Sequence, residues 1–155
     1  MGWVEFSLAA PEISQAGSRL LARSEVAFIA TVSATGRPRI HPFMPKVVAQ
    51  RLVAFIMDSS PKLKDLELRR QYSIHTQLGG ADEEFTISGD AYPCDGDVEL
   101  RALAAAAMGF ATGVDEHHLL YEFRIDRGLW TTWLDFGTPD HRPQYARWNL
   151  QSGAQ

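Results

Sequence analysis

The stretch from Met57 to Arg70, MDSSPKLKDLELRR, combines a helix start with two lysines. Ser60 suits an N-cap and Pro61 suits the first helical position, so the sequence predicts that a helix begins there. The first turn of a helix is electropositive and normally carries Asp or Glu, but this one carries Lys62 and Lys64. A bound anion would resolve the conflict, because free backbone N–H groups, hydroxyls and a lysine together make a phosphate site. Without an anion, both lysines would simply point into solvent.

A second basic group lies upstream in the stretch SATGRPRIHPFMP, residues 33–45. Arg39 and His41 are two residues apart, so on a strand they share a face. Taken alone, Arg39 is compatible with a solvated edge residue and His41 with a histidine bonded to backbone. Adjacent strands are only about 5 Å apart, so a hairpin return can bring Arg39 beside Lys62. Together with the hydroxyl of Ser59, these groups predict a pocket for a phosphate-bearing cofactor.

The elements that must position these groups are short strands with turn-sized connections and helices at the margins. Runs of β-branched and aromatic residues predict strands over 25–34, 39–48, 51–57, 71–78, 84–92, 119–126 and 128–134, of which the last either continues the strand before it or adds another. Pro42 and Pro45 cannot donate ladder hydrogen bonds, which makes the second of these an edge or bulged strand. Further helices are predicted over 11–23 and 98–110, and the tail from about Gly137 is expected to be irregular.

The composition favours one ordinary globular domain. The chain has 155 residues, of which 45% are hydrophobic and 22% charged. Its net charge of −4, with dispersed basic residues, argues against a nucleic-acid partner, and no apolar run is long enough to span a membrane. The N-terminus lacks a signal-peptide pattern. Cys94 is the single cysteine and cannot form an internal disulfide, so we expect a cytoplasmic protein.

As an ordered set, these segments resemble the pyridoxamine-5′-phosphate-oxidase-like family of flavin-binding split barrels. The resemblance rests on FIATVSATGRPRIHP, RLVAFIM, SSPKLKDLELRR, YSIHT, EFTISGDA, the Ala-rich helix and LYEFRIDRGLWTTW, and it covers most of residues 20–135. It implies a mainly β fold with flanking helices, a six-stranded antiparallel split β-barrel forming one domain over residues 1–155. It also implies a homodimer with two cofactor sites at the interface.

The resemblance also assigns roles to individual residues. Arg39 resembles the strand arginine that reaches the cofactor phosphate, and Lys62 resembles the lysine after the hairpin, with Ser60 as its serine neighbour. Phe55 and Ile56 resemble the positions whose backbone runs along the isoalloxazine ring. The complete set of cofactor-binding candidates is Arg39, His41, Phe55, Ile56, Ser59, Ser60, Lys62 and Trp133.

Three later positions carry the resemblance less closely. Trp133 resembles a tryptophan at the ring, and Arg147 resembles a basic residue near it, although the C-terminal spacing differs. Glu84 falls where the oxidases carry a glutamine from the partner subunit, and a glutamate there would place negative charge near the flavin.

The function implied is that of an FMN-binding flavoprotein, an oxidoreductase that uses NAD(P)H or a small-molecule substrate. The C-terminal segment DHRPQYARWNLQSGAQ lacks the substrate-phosphate pattern of true pyridoxamine phosphate oxidases, so vitamin B6 oxidation is not expected. The alternatives are an F420-dependent reductase of the same fold and a non-catalytic flavin- or haem-binding protein, for which His41 or His75 would be the axial ligand to test. The substrate is not specified by the sequence.

The remaining titratable groups suggest little chemistry. His41 is the best acid–base candidate, because imidazole titrates near neutrality. The pair His117-His118 follows two acidic residues and is predicted to be a solvated turn before a strand. The sequence carries no HExxH or CxxC spacing and therefore predicts no structural zinc site.

Overall fold

The structure, a computed structural model, describes residues 1–110 and 113–150 of the chain. Its eight strands belong to one sheet in which every pairing is antiparallel. The strands are β1 (Ala27–Val32), β2 (Pro38–Phe43), β3 (Lys46–Val48), β4 (Arg51–Met57), β5 (Gln71–His75), β6 (Glu84–Pro93), β7 (His118–Leu134) and β8 (Arg142–Asn149).

Four α-helices accompany the sheet: α1 (Trp3–Ala9), α2 (Pro11–Arg23), α3 (Pro61–Arg69) and α4 (Val98–Ala107). A short 3-10 turn covers Gly80–Asp82. The helix predicted over 11–23 is confirmed at both ends, and the helix predicted to begin at Pro61 begins there. The sequence prediction did not include α1. No helix of the described ranges is long and apolar enough to cross a membrane.

The strand order shows how the sheet closes. Its main path runs β2-β1-β5-β6-β7-β4-β3, so β2 and β3 are the two ends. Only Met44 and Pro45 separate these two strands along the chain, so the two ends of the sheet must lie next to each other. The sheet therefore curls into a barrel, and in the described residues no hydrogen-bond ladder joins β2 to β3 where it closes. Pro42 and Pro45 favour this gap, because proline cannot donate a ladder hydrogen bond.

The predicted count of six strands is wrong, because residues 1–110 and 113–150 form eight. Pro45 divides the predicted strand 39–48 into β2 and β3, which pair with different neighbours. The tail predicted to be irregular contains β8, which pairs with β7 from Arg127↔Asn149 to Leu134↔Arg142. Residues 151–155 of that tail lie outside the described ranges. The prediction failed because proline was taken as a sign of irregular structure, whereas β8 gains its ladder from a long neighbouring strand.

The strand β7 organises the sheet. It continues over 17 residues, so the two predicted strands there are one. Its first half pairs with β4 and its second half with β8 along one edge, while β6 occupies the opposite edge. A bulge between Ser88 and Gly89 accommodates its curvature, and a Cβ at Gly89 would lie 2.0 Å from the carbonyl oxygen of Arg124. Only glycine fits at that point.

The core joins the barrel to the N-terminal helices. Fully buried side chains of α1 and α2 pack with those of the strands, among them Phe6, Leu20, Ile29, Phe85 and Phe123. A second cluster places Leu100 and Ala104 of α4 against Val53 and Leu120, with Phe55 at its margin. α4 therefore covers the end of the barrel where β4 and β7 meet.

Candidate functional site

The start of α3 has the unusual chemistry that the sequence indicated. Ser60 is the N-cap, Pro61 is the first helical residue, and no acidic residue lies in the first turn. The Ser60 hydroxyl makes no capping hydrogen bond. The two lysines differ, because Lys62 is half-buried beside an apolar cleft whereas Lys64 is exposed. Lys62 alone therefore turns inward.

Strand β2 presents its basic residues to the same region. Phe43 is buried in the core, and the two-residue repeat places Arg39 and His41 on its face, while Ile40 on the other face is 72% exposed. Arg39 Nη1 lies 3.5 Å from Oδ1 of Asp65, a carboxylate on α3 that is buried. The hydroxyl of Thr31 on β1 donates to Oδ2 of Asp65 at 2.8 Å.

His41 lies between these charges. Burial lowers the pKa of its imidazole below the usual value, nearby Lys62 and Arg39 lower it further, and Asp65 opposes them. Its Nε2 is buried and has no hydrogen-bond partner among the described residues. The structure thus brings Arg39, His41 and Lys62 together around the start of α3, although Lys62 lies 23 residues further along the chain than Arg39.

Lys62 has no compensating charge in the part of the chain that is described. None of the ion pairs found there involves its ammonium group. Burial lowers the pKa of Lys62, because removal from water disfavours the charged form. An anion at the first turn of α3 would stabilise the ammonium group and accept from the backbone N–H of Lys62, since Pro61 has no N–H and that of Leu63 already donates to the Ser60 carbonyl oxygen.

An apolar cleft of about 190 Å³ begins beside Lys62. Its walls come from the end of β2 and the residue after it, the end of β4, the segment after α4 and the start of β7. The lining residues are Phe43, Met44, Phe55, Met57, Lys62, Met108, Phe110 and His118. The Phe55 and Phe110 rings meet edge to face, with centroids 5.8 Å apart. The cleft therefore offers flat aromatic and flexible thioether surface next to a cationic end.

The other predicted residues near α3 are divided between core and surface. The side chain of Ile56 is 1% exposed and packs in the core, so only its backbone could border a ligand. Ser59 is exposed in the turn before α3. Phe55 is the only member of its predicted pair whose side chain lines the cleft.

Trp133 lies at the opposite end of β7 from the cleft. Its Nε1 donates to the carbonyl oxygen of Asp82 at 3.2 Å, and its ring faces His141 at 5.7 Å. With Phe136, these residues border a separate hollow of about 350 Å³. Within one chain, the structure does not bring Trp133 to Arg39, His41 and Lys62 at the start of α3.

Glu84 and Arg147, the other two positions at which the resemblance is less close, also lie away from Arg39, His41 and Lys62. Glu84 is the first residue of β6, opposite Thr131 of β7. Arg147 is exposed on β8 and stacks on the ring of Tyr145, 4.4 Å from its centroid.

The sequence analysis missed a histidine that lines the cleft. His118 is the first residue of β7 and pairs with Met57 of β4. Its Nδ1 lies 2.6 Å from Oδ1 of Asp115. The spacing Asp-x-x-His just before an alternating strand is the sequence feature that could have indicated this histidine. The sequence analysis instead predicts a solvated turn there. His117, by contrast, is exposed and bonded to Asp58.

Other parts of the surface have weaker chemistry. An open groove of about 840 Å³ follows α2, and another of about 540 Å³ lies beside Met1–Glu5 and Arg51, where two carboxylates already neutralise the arginine. Burial raises the pKa of Cys94 to about 11, so its thiol is a poor nucleophile. In the described ranges, no three His, Cys, Asp or Glu side chains are grouped to hold a metal ion.

Comparisons with known proteins identify the fold. No protein-family model matches the sequence, and no curated protein matches it. Among solved structures, a haem-binding protein from Mycobacterium smegmatis aligns with a TM-score of 0.61 and 19% identity, covering 83% of this chain and 57% of that chain. A NimC/NimA family protein from Clostridium acetobutylicum gives 0.65 and 15%, over 92% of this chain and 98% of that one.

A third match is PhzG from Burkholderia lata, solved in complex with tetrahydrophenazine-1-carboxylic acid. It gives a TM-score of 0.61 at 15% identity and covers 95% of this chain and 92% of that chain. This chain therefore spans little more than half the length of the mycobacterial protein but nearly all of the other two. The closed antiparallel sheet with four helices is, accordingly, the split-barrel fold of the pyridoxamine-5′-phosphate-oxidase-like proteins.

Proposed function

We propose that this chain, as one domain, is an FMN-binding flavoprotein and acts as an oxidoreductase on a small molecule other than pyridoxamine phosphate. One observation carries the proposal: a half-buried lysine at a helix start, which has no ion-pair partner among the described residues, borders an apolar, aromatic cleft. A ligand suited to this arrangement has a phosphate at one end and a flat apolar ring at the other. FMN has that form, and the resemblance of the sequence to flavin-binding split barrels supports it.

The phosphate end would be held by residues of three segments. The first turn of α3 would contribute the ammonium group and the backbone N–H of Lys62, the turn before it the Ser59 and Ser60 hydroxyls, and β2 the Arg39 guanidinium. Charge-assisted hydrogen bonds contribute roughly 1.5–3 kcal/mol each, which outweighs the few tenths that a lysine costs in a first helical turn. Asp65 neutralises only part of this positive charge.

The ring end would rest against the cleft, with the backbone of Phe55 and Ile56 along one edge. The cleft of about 190 Å³ is smaller than the roughly 300 Å³ at which ligand pockets usually begin. We infer that a second copy of the chain completes it, in a homodimer with two equivalent sites. The hollow beside Trp133 is the surface we propose to face the partner's cleft.

FMN, when bound, would supply hydride-transfer chemistry, and the protein would supply binding, orientation and exclusion of water. The residues around the cleft could serve these ends, since Met57, Met108 and Phe110 would shield the ring and Lys62 would hold the phosphate. NAD(P)H or a reduced substrate is the electron donor that this chemistry requires. A cytoplasmic location stays an expectation from the single cysteine.

A second candidate is a haem-binding protein that carries or senses its ligand. The observation in its favour is the unpartnered Nε2 of His41, an atom that could serve as an axial ligand after a small movement. His75 is the alternative axial ligand. Its Nδ1 is engaged with the Thr76 carbonyl oxygen at 2.6 Å, so Nε2 is the nitrogen that would bind the iron. An F420-dependent reductase remains the third candidate, since F420 also presents a phosphate to the same cations.

The test is an absorption spectrum of the purified protein, followed by identification of whatever it releases on denaturation. Released FMN, or tight uptake of FMN by colourless protein, would support the proposal. Release or capture of F420 would mean that the cofactor is F420 and not FMN. A Soret band that is lost in a His41→Ala variant would favour haem. A protein that takes up none of the three would remove the proposed function and leave the fold unaffected.

A further inference from the structure

His118 occupies a place that the phosphate and ring contacts of the proposed function do not use. It lines the same cleft as Lys62, and its ring centroid lies 6.2 Å from that of Phe110. Its side chain is 26% exposed, so the ring borders the cleft and still communicates with solvent. A group in that position can exchange protons with water and also contact a molecule in the cleft.

The two ring nitrogens of His118 have different roles. Nδ1 is engaged with Oδ1 of Asp115, at 2.6 Å. No residue within 1–110 or 113–150 is hydrogen-bonded to Nε2. Because the partner of one imidazole nitrogen decides where the proton of the neutral ring lies, Asp115 holds that proton on Nδ1. The other nitrogen, Nε2, is then the one that can accept or deliver a proton.

Arg101 of α4 holds the segment that carries Asp115 and His118. One guanidinium nitrogen of Arg101 donates to the carbonyl oxygen of His118 at 2.8 Å, and the other donates to that of Asp115 at 2.8 Å. Arg101 also pairs with Asp95 and lies over the ring of Phe55, 5.2 Å from its centroid. One arginine thus links the Asp115–His118 segment to the aromatic wall of the cleft.

We propose that His118 is the catalytic acid–base residue of this site, and that it exchanges a proton through Nε2 with an electron acceptor or donor bound in the cleft. The inference rests on the proposed function, because a reduced flavin is the source of electrons. In the reducing direction, two electrons and one hydrogen reach the acceptor as hydride from the flavin. One proton leaves Nε2 of the imidazolium for the acceptor, and the imidazole regains a proton from water.

The neighbouring charges fit this role. Asp115 lies on the same segment, Arg101 and Asp95 lie on the α4 side, and Lys62 lines the same cleft. Asp115 and Arg101 act as positioning residues, because neither lines the cleft. His117 is a matched control: it is the adjacent histidine, also paired with an aspartate, but it does not line the cleft.

The first measurement is the tautomer of His118, read from ¹H–¹⁵N NMR of the histidine side chains in the wild-type protein. We expect the neutral ring of His118 to carry its proton on Nδ1, and we expect this preference to disappear in Asp115→Asn. A neutral ring protonated on Nε2 in both proteins would overturn the proposal without reference to any cofactor.

The second measurement uses FMN-loaded protein, reduced with dithionite and mixed anaerobically with 1,4-benzoquinone, a small flat acceptor of two electrons and two protons. His118→Gln should slow reoxidation by about 10² or more, as loss of a general acid does, and should remove the solvent deuterium isotope effect. His117→Gln should leave both quantities unchanged. FMN affinity should change by less than about threefold in either variant, because neither residue contacts the phosphate.

These outcomes separate this inference from the proposed function. Normal FMN binding with unchanged reoxidation in His118→Gln would overturn the role of His118 alone. Failure of the wild-type protein to bind FMN would overturn the proposed function and this inference with it.

Discussion

Arg39 on β2 and Asp65 on α3 face each other with 3.5 Å between Nη1 and Oδ1. The carboxylate is buried, whereas 41% of the arginine side chain is exposed. Asp65 therefore engages one terminal nitrogen of the Arg39 guanidinium, and the other N–H groups of Arg39 make no hydrogen bond among the described residues. This contact connects the edge strand to the helix whose start carries Lys62, so the two cations cannot move independently.

The clearest prediction for the phosphate site compares two lysines of the same helical turn. Lys62→Ala should weaken FMN binding by roughly ten- to a hundredfold, since one charge-assisted hydrogen bond contributes about 1.5–3 kcal/mol. Lys64→Ala should change it by less than about twofold, because Lys64 is exposed and outside the cleft. Fluorescence titration of FMN measures both. Equal losses in the two variants would show that a diffuse positive field, and not a site at Lys62, attracts the ligand.

Thr31 holds Asp65 through a buried hydrogen bond of 2.8 Å. Thr31→Val keeps the volume but removes the donor, so the free energy of unfolding should fall by about 1–3 kcal/mol. Urea denaturation measures the change. Thr132→Val, on β7 and without a side-chain hydrogen bond among those described, should change the free energy of unfolding by less than about 0.5 kcal/mol. A Thr31→Val protein as stable as the wild type would mean that Arg39 alone satisfies the carboxylate.

Glu83 connects α2 to the sheet and should make stability depend on acid pH. Arg19 donates to both its oxygens at 2.8 and 2.6 Å, and Trp130 donates to one at 2.7 Å. The hydrogen bonds from Arg19, and then that from Trp130, lower the pKa of Glu83 below its usual value near 4.5, against the opposing effect of burial. A lowered folded-state pKa adds stability above about pH 4.5, and this stability is lost as pH falls through the folded-state pKa.

We therefore expect Glu83→Gln to unfold more easily than the wild type at pH 7, by about 1–2 kcal/mol after allowance for the exposure of Arg19. The difference should shrink as the pH is lowered below 4.5. Thermal melts from pH 3 to pH 7 measure it, with Glu84→Gln as the neighbouring control. A stability difference that stays constant over this range would show that Glu83 acts by packing and not by its charge.

Gly17 tests whether packing outweighs helix propensity. Alanine stabilises a helix interior by up to about 1 kcal/mol over glycine, so the sequence alone favours Gly17→Ala. A Cβ at Gly17, however, would lie 2.3 Å from the ring of Phe85, which is completely buried. Overpacking costs about 1–3 kcal/mol, so the variant should be less stable on balance. Gly96→Ala has open space around its Cβ and should be neutral or slightly stabilising in the same unfolding assay. A stabilised Gly17→Ala protein would contradict this close approach of α2 to β6.

Local chemistry in the sequence accounts for much of the fold. A continuous run of apolar and β-branched residues predicts β4, and alternating apolar residues predict the first half of β7, because neither pattern depends on the partner strands. Ser60 and Pro61 determine where α3 begins, since capping depends on adjacent residues only. The same local reasoning placed Arg39 and His41 on one face and Lys62 at a helix start.

Tertiary structure decided what depends on partners distant in the chain. Residues 39–48, with Pro42 and Pro45, predict one weakened strand, but β1 and β4 draw the two halves to opposite ends of the sheet. Likewise the tail becomes β8 only because the second half of β7 offers a free edge. The inward turn of Lys62, the burial of Asp65 and the entry of His118 into the cleft follow from packing against β1, β2 and α4. A single sequence does not specify these contacts, because burial and charge pairing arise from residues that the fold alone brings together.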